Sequence, residues 1–190
     1  WVNEGILHES EARTNLFTRS SGDSLSGLTN GNVSLDTVSW LGGSITTAFG
    51  MASGVTAYLY KTGITTATTY TLSCIVECGD GLAPSFGSSA ASSILNEFVF
   101  IVDGASINPT TYNVEPLGSG LYFVWATKVS DGTGNGNFGV VKYSTNIADS
   151  LQFSRVQVEV GSFPTSYIPT SGASASRAAD IASIPTSAFG

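Results

Sequence analysis

The chain has 190 residues, a formal net charge of −7 and only 11% charged residues. A domain of this length removes about 70% of its unfolded surface from water, so a core is expected without staples, over residues 1 to 190 as one domain. The seven Lys and Arg are too few and too scattered to neutralise a run of phosphates, which excludes a nucleic-acid groove. No apolar run reaches the roughly 18 residues that span a bilayer, and no basic stretch precedes an apolar one at the start, so no membrane insertion is expected. The start at Trp1 reads as a domain excised from a longer protein.

Abundant Gly, Ser and Thr with few charges suit short strands and tight turns. Alternation of apolar and polar residues predicts strands over Val33 to Trp40, Val55 to Tyr60, Tyr70 to Cys78, Phe98 to Asp103, Thr111 to Glu115, Leu121 to Val129, Phe138 to Tyr143 and Leu151 to Val160. So many short strands predict a sandwich. Helical signals are few: Ser88 to Phe98 has the spacing for one turn, but its Ser and Asn residues are poor helix formers.

In the Tyr70 strand, Tyr70, Leu72, Cys74 and Val76 share the expected core face, with Thr71, Ser73, Ile75 and Glu77 opposite. Cys74 and Cys78 are the only cysteines, and four residues of strand span roughly 13 Å, beyond disulfide reach, so two buried thiols are expected. They suit assembly in a reducing cytoplasm. The Leu121 strand is apolar on both sides, with Tyr122, Val124 and Ala126 on one face and Leu121, Phe123 and Trp125 on the other. Something must cover the second face.

Gly134-Asn-Gly-Asn-Phe-Gly139 matches GxGxxG, but a dinucleotide loop must open a helix, whereas Val140 to Tyr143 continues as a strand. A hairpin loop is expected. From Asp131 through Thr133 and Asn135 the same loop imitates half of an EF-hand, yet Lys142 stands where a bidentate Glu is needed. No cofactor is required by any motif. Catalysis is thinly provided for, because His8 is the only histidine, has no identifiable Ser or Cys partner, and the carboxylates are dispersed. A non-enzyme is expected.

The segment Glu159-Val-Gly-Ser-Phe-Pro-Thr-Ser-Tyr-Ile-Pro-Thr-Ser-Gly172 cannot be helical, since Pro164 and Pro169 fix φ near −65° and remove two donors. It reads as an extended strap, with Phe163, Tyr167 and Ile168 as apolar anchors onto a sheet. Followed by Arg177-Ala-Ala-Asp180, it resembles the C-terminal signature of lectin-like β-sandwich modules in bacteriophage virion, tail-fibre and head-fibre proteins. Glu11-Ala-Arg-Thr-Asn-Leu16 is similar to the opening of the same family. Gly120-Leu-Tyr-Phe stands where that family has Gly followed by Trp-Tyr-Arg, with Leu121 and Phe123 in place of Trp and Arg.

The resemblance implies an all-β fold, a jelly-roll β-sandwich of two antiparallel sheets of the galactose-binding or concanavalin-like kind. It also implies a non-catalytic carbohydrate-binding module at the virion surface, with a polysaccharide or cell-surface glycan as partner and other virion subunits as possible neighbours. Related modules often hold a structural calcium, for which Glu9, Glu159 and Asp180 are conceivable ligands. Arg13 and Arg177 are expected to pair with carboxylates where the two ends meet. A virion structural domain without sugar binding and a polysaccharide-degrading module are the alternatives.

Such modules stack aromatic rings on pyranose faces and set polar groups beside them. Trp125 is the leading ring, with Phe123 and Tyr58 beside it on a bound sugar. Tyr58 and Tyr60 share one face of their strand as a further platform, and Tyr143 and Trp40 are candidates too. Trp40, next to Gly42 and Gly43, reads as core before it reads as a platform. Gln152, Asn137 and Asp131 are the expected hydroxyl partners.

Overall fold

A computed structural model describes residues 9, 11–64, 67–86, 97–102, 105–106, 111–130, 136–142 and 150–180. In chain order the strands are β1 (Arg13–Asn15), β2 (Thr29–Gly31), β3 (Val33–Trp40), β4 (Ile45–Met51), β5 (Ala57–Thr62), β6 (Thr69–Cys78), β7 (Ser85–Phe86) and β8 (Glu97–Val102). They continue as β9 (Ala105–Ser106), β10 (Thr111–Gly118), β11 (Leu121–Val129), β12 (Asn137–Lys142), β13 (Leu151–Val160) and β14 (Ala175–Arg177). Among the described residues the one helical piece is a 3-10 turn at Leu41–Gly43. The expected turn in Ser88 to Phe98 lies largely outside the described residues, and its last two positions belong to β8.

Sheet one runs β10-β11-β6-β13-β4-β3 and sheet two β2-β5-β12-β8-β7, with β9 beside β8. The pairings nest: β4 with β13 in sheet one encloses β5 with β12 in sheet two, which in turn encloses β6 with β11 in sheet one. A chain that folds back on itself and then wraps around a core makes this pattern, which is the jelly-roll wind. All pairs are antiparallel except the short β7 with β8, which is parallel and departs from the expected wholly antiparallel sheets.

Alternation along each strand sends one set of side chains inward. Leu72, Cys74, Val76, Val124, Phe153 and Val158 of sheet one meet Leu59, Phe100, Phe138 and Val140 of sheet two in a single buried cluster. Phe17 bridges the layers, edge-on to Phe49 at 6.4 Å and to Phe138 at 6.3 Å between ring centres. Cys74 and Cys78 are free and buried in this interior, as expected. Burial, then the neighbouring Cys78, pushes the Cys74 thiol well above its ordinary range.

The pairing of β13 with β6 shifts between Ser154 and Gln157, and Arg155 takes φ +54° there. Before this bulge Leu151 and Phe153 face the core, and after it Val156 and Val158 do. The N-terminal segment fills the gap that opens beside the bulge. Val156 donates its N–H to the Ser20 carbonyl at 2.9 Å, and the Ser21 carbonyl accepts from Thr47 and Ser154. Gly22 permits the approach: its φ is +75°, and a Cβ there would stand 2.7 Å from the Ala48 backbone.

The first and last described segments are clasped together beside β13. β1 pairs with β14, placing Arg13 opposite Arg177. Arg177 pairs with Glu9, and Arg13 with Glu11 at 2.7 Å, which is the expected role of the two arginines. The buried Asn15 side chain donates to the carbonyls of Val156 and Ile168 and accepts from the N–H groups of Phe17 and Val158. Phe163 is half exposed rather than sunk into the sheet, its ring beneath the Arg13 guanidinium.

Candidate functional site

Strand pairing arranges the outer face of sheet one in rungs. One rung runs Trp125, Ser73, Gln157, and the next runs Phe123, Ile75, Ser154. A third places Leu121, Glu77, Gln152, Gly50 and Ser34 side by side. This face was expected to need a cover, and two pieces of chain supply it. The β3–β4 tip lays Trp40 and Ile45 against Ala48, Ile75 and Leu121 in a second small cluster. The strap crosses Gln157 and Glu159, which bind its backbone: Gln157 donates to the carbonyls of Thr165 and Ser166 and accepts from Ile168, and Glu159 accepts from the Thr165 N–H at 3.0 Å. Polar residues on the outside of a sheet are thereby buried with their partners.

Between the two covers an open cleft of about 300 Å³ remains. Ser73, Ile75 and Phe123 line it from the sheet, Leu41 from the β3–β4 tip, Leu117 from the end of β10, and Thr165, Ser166 and Tyr167 from the strap, with Arg155 and Gln157 between. Most of the lining is apolar. The Arg155 guanidinium lies 5.3 Å from the centre of the Tyr167 ring. The Tyr167 hydroxyl is 2.6 Å from Ser20 Oγ. Burial raises the Tyr167 phenol above its ordinary value against the opposing effects of Ser20 and Arg155, so it is neutral at pH 7. Among the described residues Ser73 Oγ has no hydrogen bond, whereas the amide of Gln157 is taken up by the strap.

The expected site residues are dispersed over both sheets. Phe123 lines the cleft; Trp125 stands half-buried on the same face, opposite Ser73, but outside the lining. Tyr58 and Tyr60 belong to β5 in sheet two, where their rings stack at 5.6 Å. Arrangement of Tyr58 beside Trp125 on one sugar is therefore corrected, because the core of the sandwich separates the sheets that carry them. Trp40 is 6% exposed and donates its indole N–H to Glu77 at 3.0 Å, so it belongs to packing rather than to a platform. Gln152 donates to Asp36 at 2.7 Å away from the cleft, and Asn137 accepts from Thr62 at the start of β12. Tyr143, Asp131 and His8 lie outside the described residues.

The conceivable calcium ligands have protein partners. Both Glu9 oxygens accept from Ser166, both Glu159 oxygens accept from Thr165, and Asp180 accepts from the Glu9 N–H. Among the described residues no three His, Cys, Asp or Glu side chains form a metal-sized group. Asn137–Lys142 is a strand rather than a helix, as expected, but it pairs with β5 and β8 in sheet two while β11 belongs to sheet one, so the connection between them crosses from sheet to sheet and the expected hairpin is corrected. Lys142 is buried, donating to the carbonyls of Ala52 and Val55.

Sequence reasoning missed Arg155. Strict alternation would place it with Leu151 and Phe153 on the core face. The sign was a change of parity, from Leu151 and Phe153 to Val156 and Val158, which betrays one extra residue in the strand.

No family model and no curated protein matches this chain. Two solved structures share its outline. One is the enzymatically active domain of tailspike protein 4 of bacteriophage CBA120, with a TM-score of 0.45 and 11% identity, covering 77% of this chain and 21% of that one. The other holds the CBM22-1 and GH10 modules of Clostridium thermocellum endo-1,4-β-D-xylanase 10B with xylohexaose, with a TM-score of 0.43 and 12% identity, covering 85% of this chain and 30% of that one. The chain thus spans less than a third of either. Both likenesses are loose, and the β-sandwich assignment rests on the strand pairing itself.

Proposed function

We propose that this domain is a non-catalytic carbohydrate-binding module that holds a short stretch of polysaccharide in the outer cleft of sheet one. The observation that carries the reading is the lining. An apolar wall with Phe123 and Tyr167 accompanies two polar groups, the Ser73 hydroxyl and the Arg155 guanidinium, that no hydrogen bond among the described residues engages. Sugars present an apolar face and a rim of hydroxyls and ask for this mixture. The titratable groups of the lining are Arg155 and Tyr167, and neither is a general acid or base near neutral pH, which supports binding rather than turnover.

Placement on a phage particle is supported by the resemblance of the two end segments. In the fold those segments grip one another, so their residues read as a clasp, and the cleft beside the clasp carries recognition. A shallow site repeated over many copies gives firm adhesion through effective concentration. A glycan-array screen with and without a chelator tests the reading and any need for calcium. Phe123→Ala is expected to weaken binding about tenfold, the order expected for one ring in a site, and to lower the unfolding midpoint because the ring also packs against the Trp40 cluster, while Tyr58→Ala leaves binding intact. Absence of binding to any arrayed polysaccharide contradicts the proposal.

A second reading is favoured by the apolar exposure at the sheet edge. Tyr112 on the edge strand β10 is 58% exposed, a surface suited to a neighbouring virion subunit. A stable oligomer in sedimentation, disrupted by Tyr112→Ser, together with a blank array, selects it.

A further inference from the structure

We infer that the cleft selects sugars bearing a carboxylate, uronic acids in a polymer, with Arg155 as the group that receives the charge; this rests on the reading of the cleft as a glycan site. The chain has seven cations against fourteen carboxylates, so an arginine has every opportunity to find an internal partner. Three of the four do: Arg13 pairs with Glu11, Arg19 with Asp23 and Arg177 with Glu9. Arg155 has no hydrogen bond or ion pair among the described residues, and its recorded contact is the face of Tyr167.

Its position is also costly. Arg155 sits at φ +54°, a conformation that side chains with a Cβ resist and that glycine adopts freely. The bulge alone would be served better by glycine, so the side chain is retained at the expense of strain. The guanidinium lies over the Tyr167 ring and lines the cleft, so its N–H groups can meet a carboxylate through two parallel bonds, which a neutral sugar cannot use as well. Phe123 offers the apolar face for the ring and Ser73 a hydroxyl for the rim. The net charge of −7 does not prevent this, since charges beyond about 8 Å are screened at physiological salt. The Asp23 carboxylate, which acts electrostatically on Tyr167, is itself paired with Arg19 at 3.8 Å.

The test uses the full chain at 0.15 M salt and matched polymers: polygalacturonate, alginate and hyaluronan, each beside its carboxyl-reduced form, and dextran sulfate beside dextran. The expected result is at least tenfold tighter binding to one or more uronate polymers than to the reduced partner. Arg155→Gly is expected to abolish that preference while keeping or raising the unfolding midpoint, because the glycine relieves the backbone. Arg155→Lys should retain only part of it. Equal binding of a polymer and its reduced form overturns the carboxylate inference and leaves the glycan reading standing. An equal gain from sulfate over dextran overturns it in favour of a general anion site. Binding to none of these polymers, nor to any neutral glycan, overturns both, and a uronate preference that survives in Arg155→Gly removes Arg155 from the role.

Discussion

Asn15 and Ile168 are 153 residues apart in sequence, and the Asn15 amide donates to the Ile168 carbonyl at 2.9 Å in the interior. The same side chain also serves Val156, Val158 and Phe17. One residue of the N-terminal segment thus fixes the bulged strand and the strap over it, and through the strap one wall of the cleft. Asn15→Ala leaves two N–H groups and two carbonyls without this partner in a fully buried place. Each such orphan costs about 1–3 kcal/mol, so a loss of about 3 kcal/mol or more is expected in urea unfolding. A change under about 1 kcal/mol would show that the clasp is not held by this residue.

Acid should loosen the same clasp. Burial works to raise the Glu9 carboxyl, but the Ser166 side-chain and backbone hydrogen bonds and the Arg177 charge outweigh it, so the folded value lies below the ordinary 4.5. A carboxyl lowered by folding contributes stability above its unfolded value and loses that contribution as pH falls through its folded value. Melting temperature should therefore drop on acidification below pH 4.5, and Glu9→Gln should flatten that part of the profile. An identical acid profile in the variant would remove Glu9 from the clasp's energetics.

Two glycines separate crowding from conformation. Gly22 and Gly27 have φ of +75° and +79°, but a Cβ on Gly22 would be 2.7 Å from the Ala48 backbone whereas one on Gly27 meets nothing within 4 Å. Gly27→Ala is expected to cost about 1 kcal/mol through backbone strain alone. Gly22→Ala adds a clash with backbone and is expected to cost about 3 kcal/mol or more. Equal losses in thermal unfolding would show that β4 yields where the N-terminal segment crosses it.

The sequence made the long strands legible because apolar residues recur along them. Val33 to Trp40, Leu121 to Val129 and Leu151 to Val160 have the expected bounds, although the register shifts within the first and the last. β4 was hidden. Ala48 and Phe49 are adjacent and both buried, one against the outer cluster and one in the main core, so the strand shows no period of two. The short β1, β2 and β14 are too brief to carry a pattern and exist through partners distant in the chain. Half of the site was visible in the same way. Phe123 stood out because β11 is apolar on both faces, while Arg155 was masked by the bulge and Trp40 was ambiguous until the β3–β4 tip was seen to fold over the sheet.

The central claim is that polysaccharide is held on the outer face of sheet one. Amide chemical-shift mapping during titration with an acidic oligosaccharide, such as a short galacturonate oligomer, tests it residue by residue. The expected shifts gather at Ser73, Ile75, Phe123, Arg155 and Thr165 to Tyr167, which line one cleft. Saturable shifts confined to Tyr58 and Tyr60 on sheet two, with the cleft amides unmoved, would contradict it.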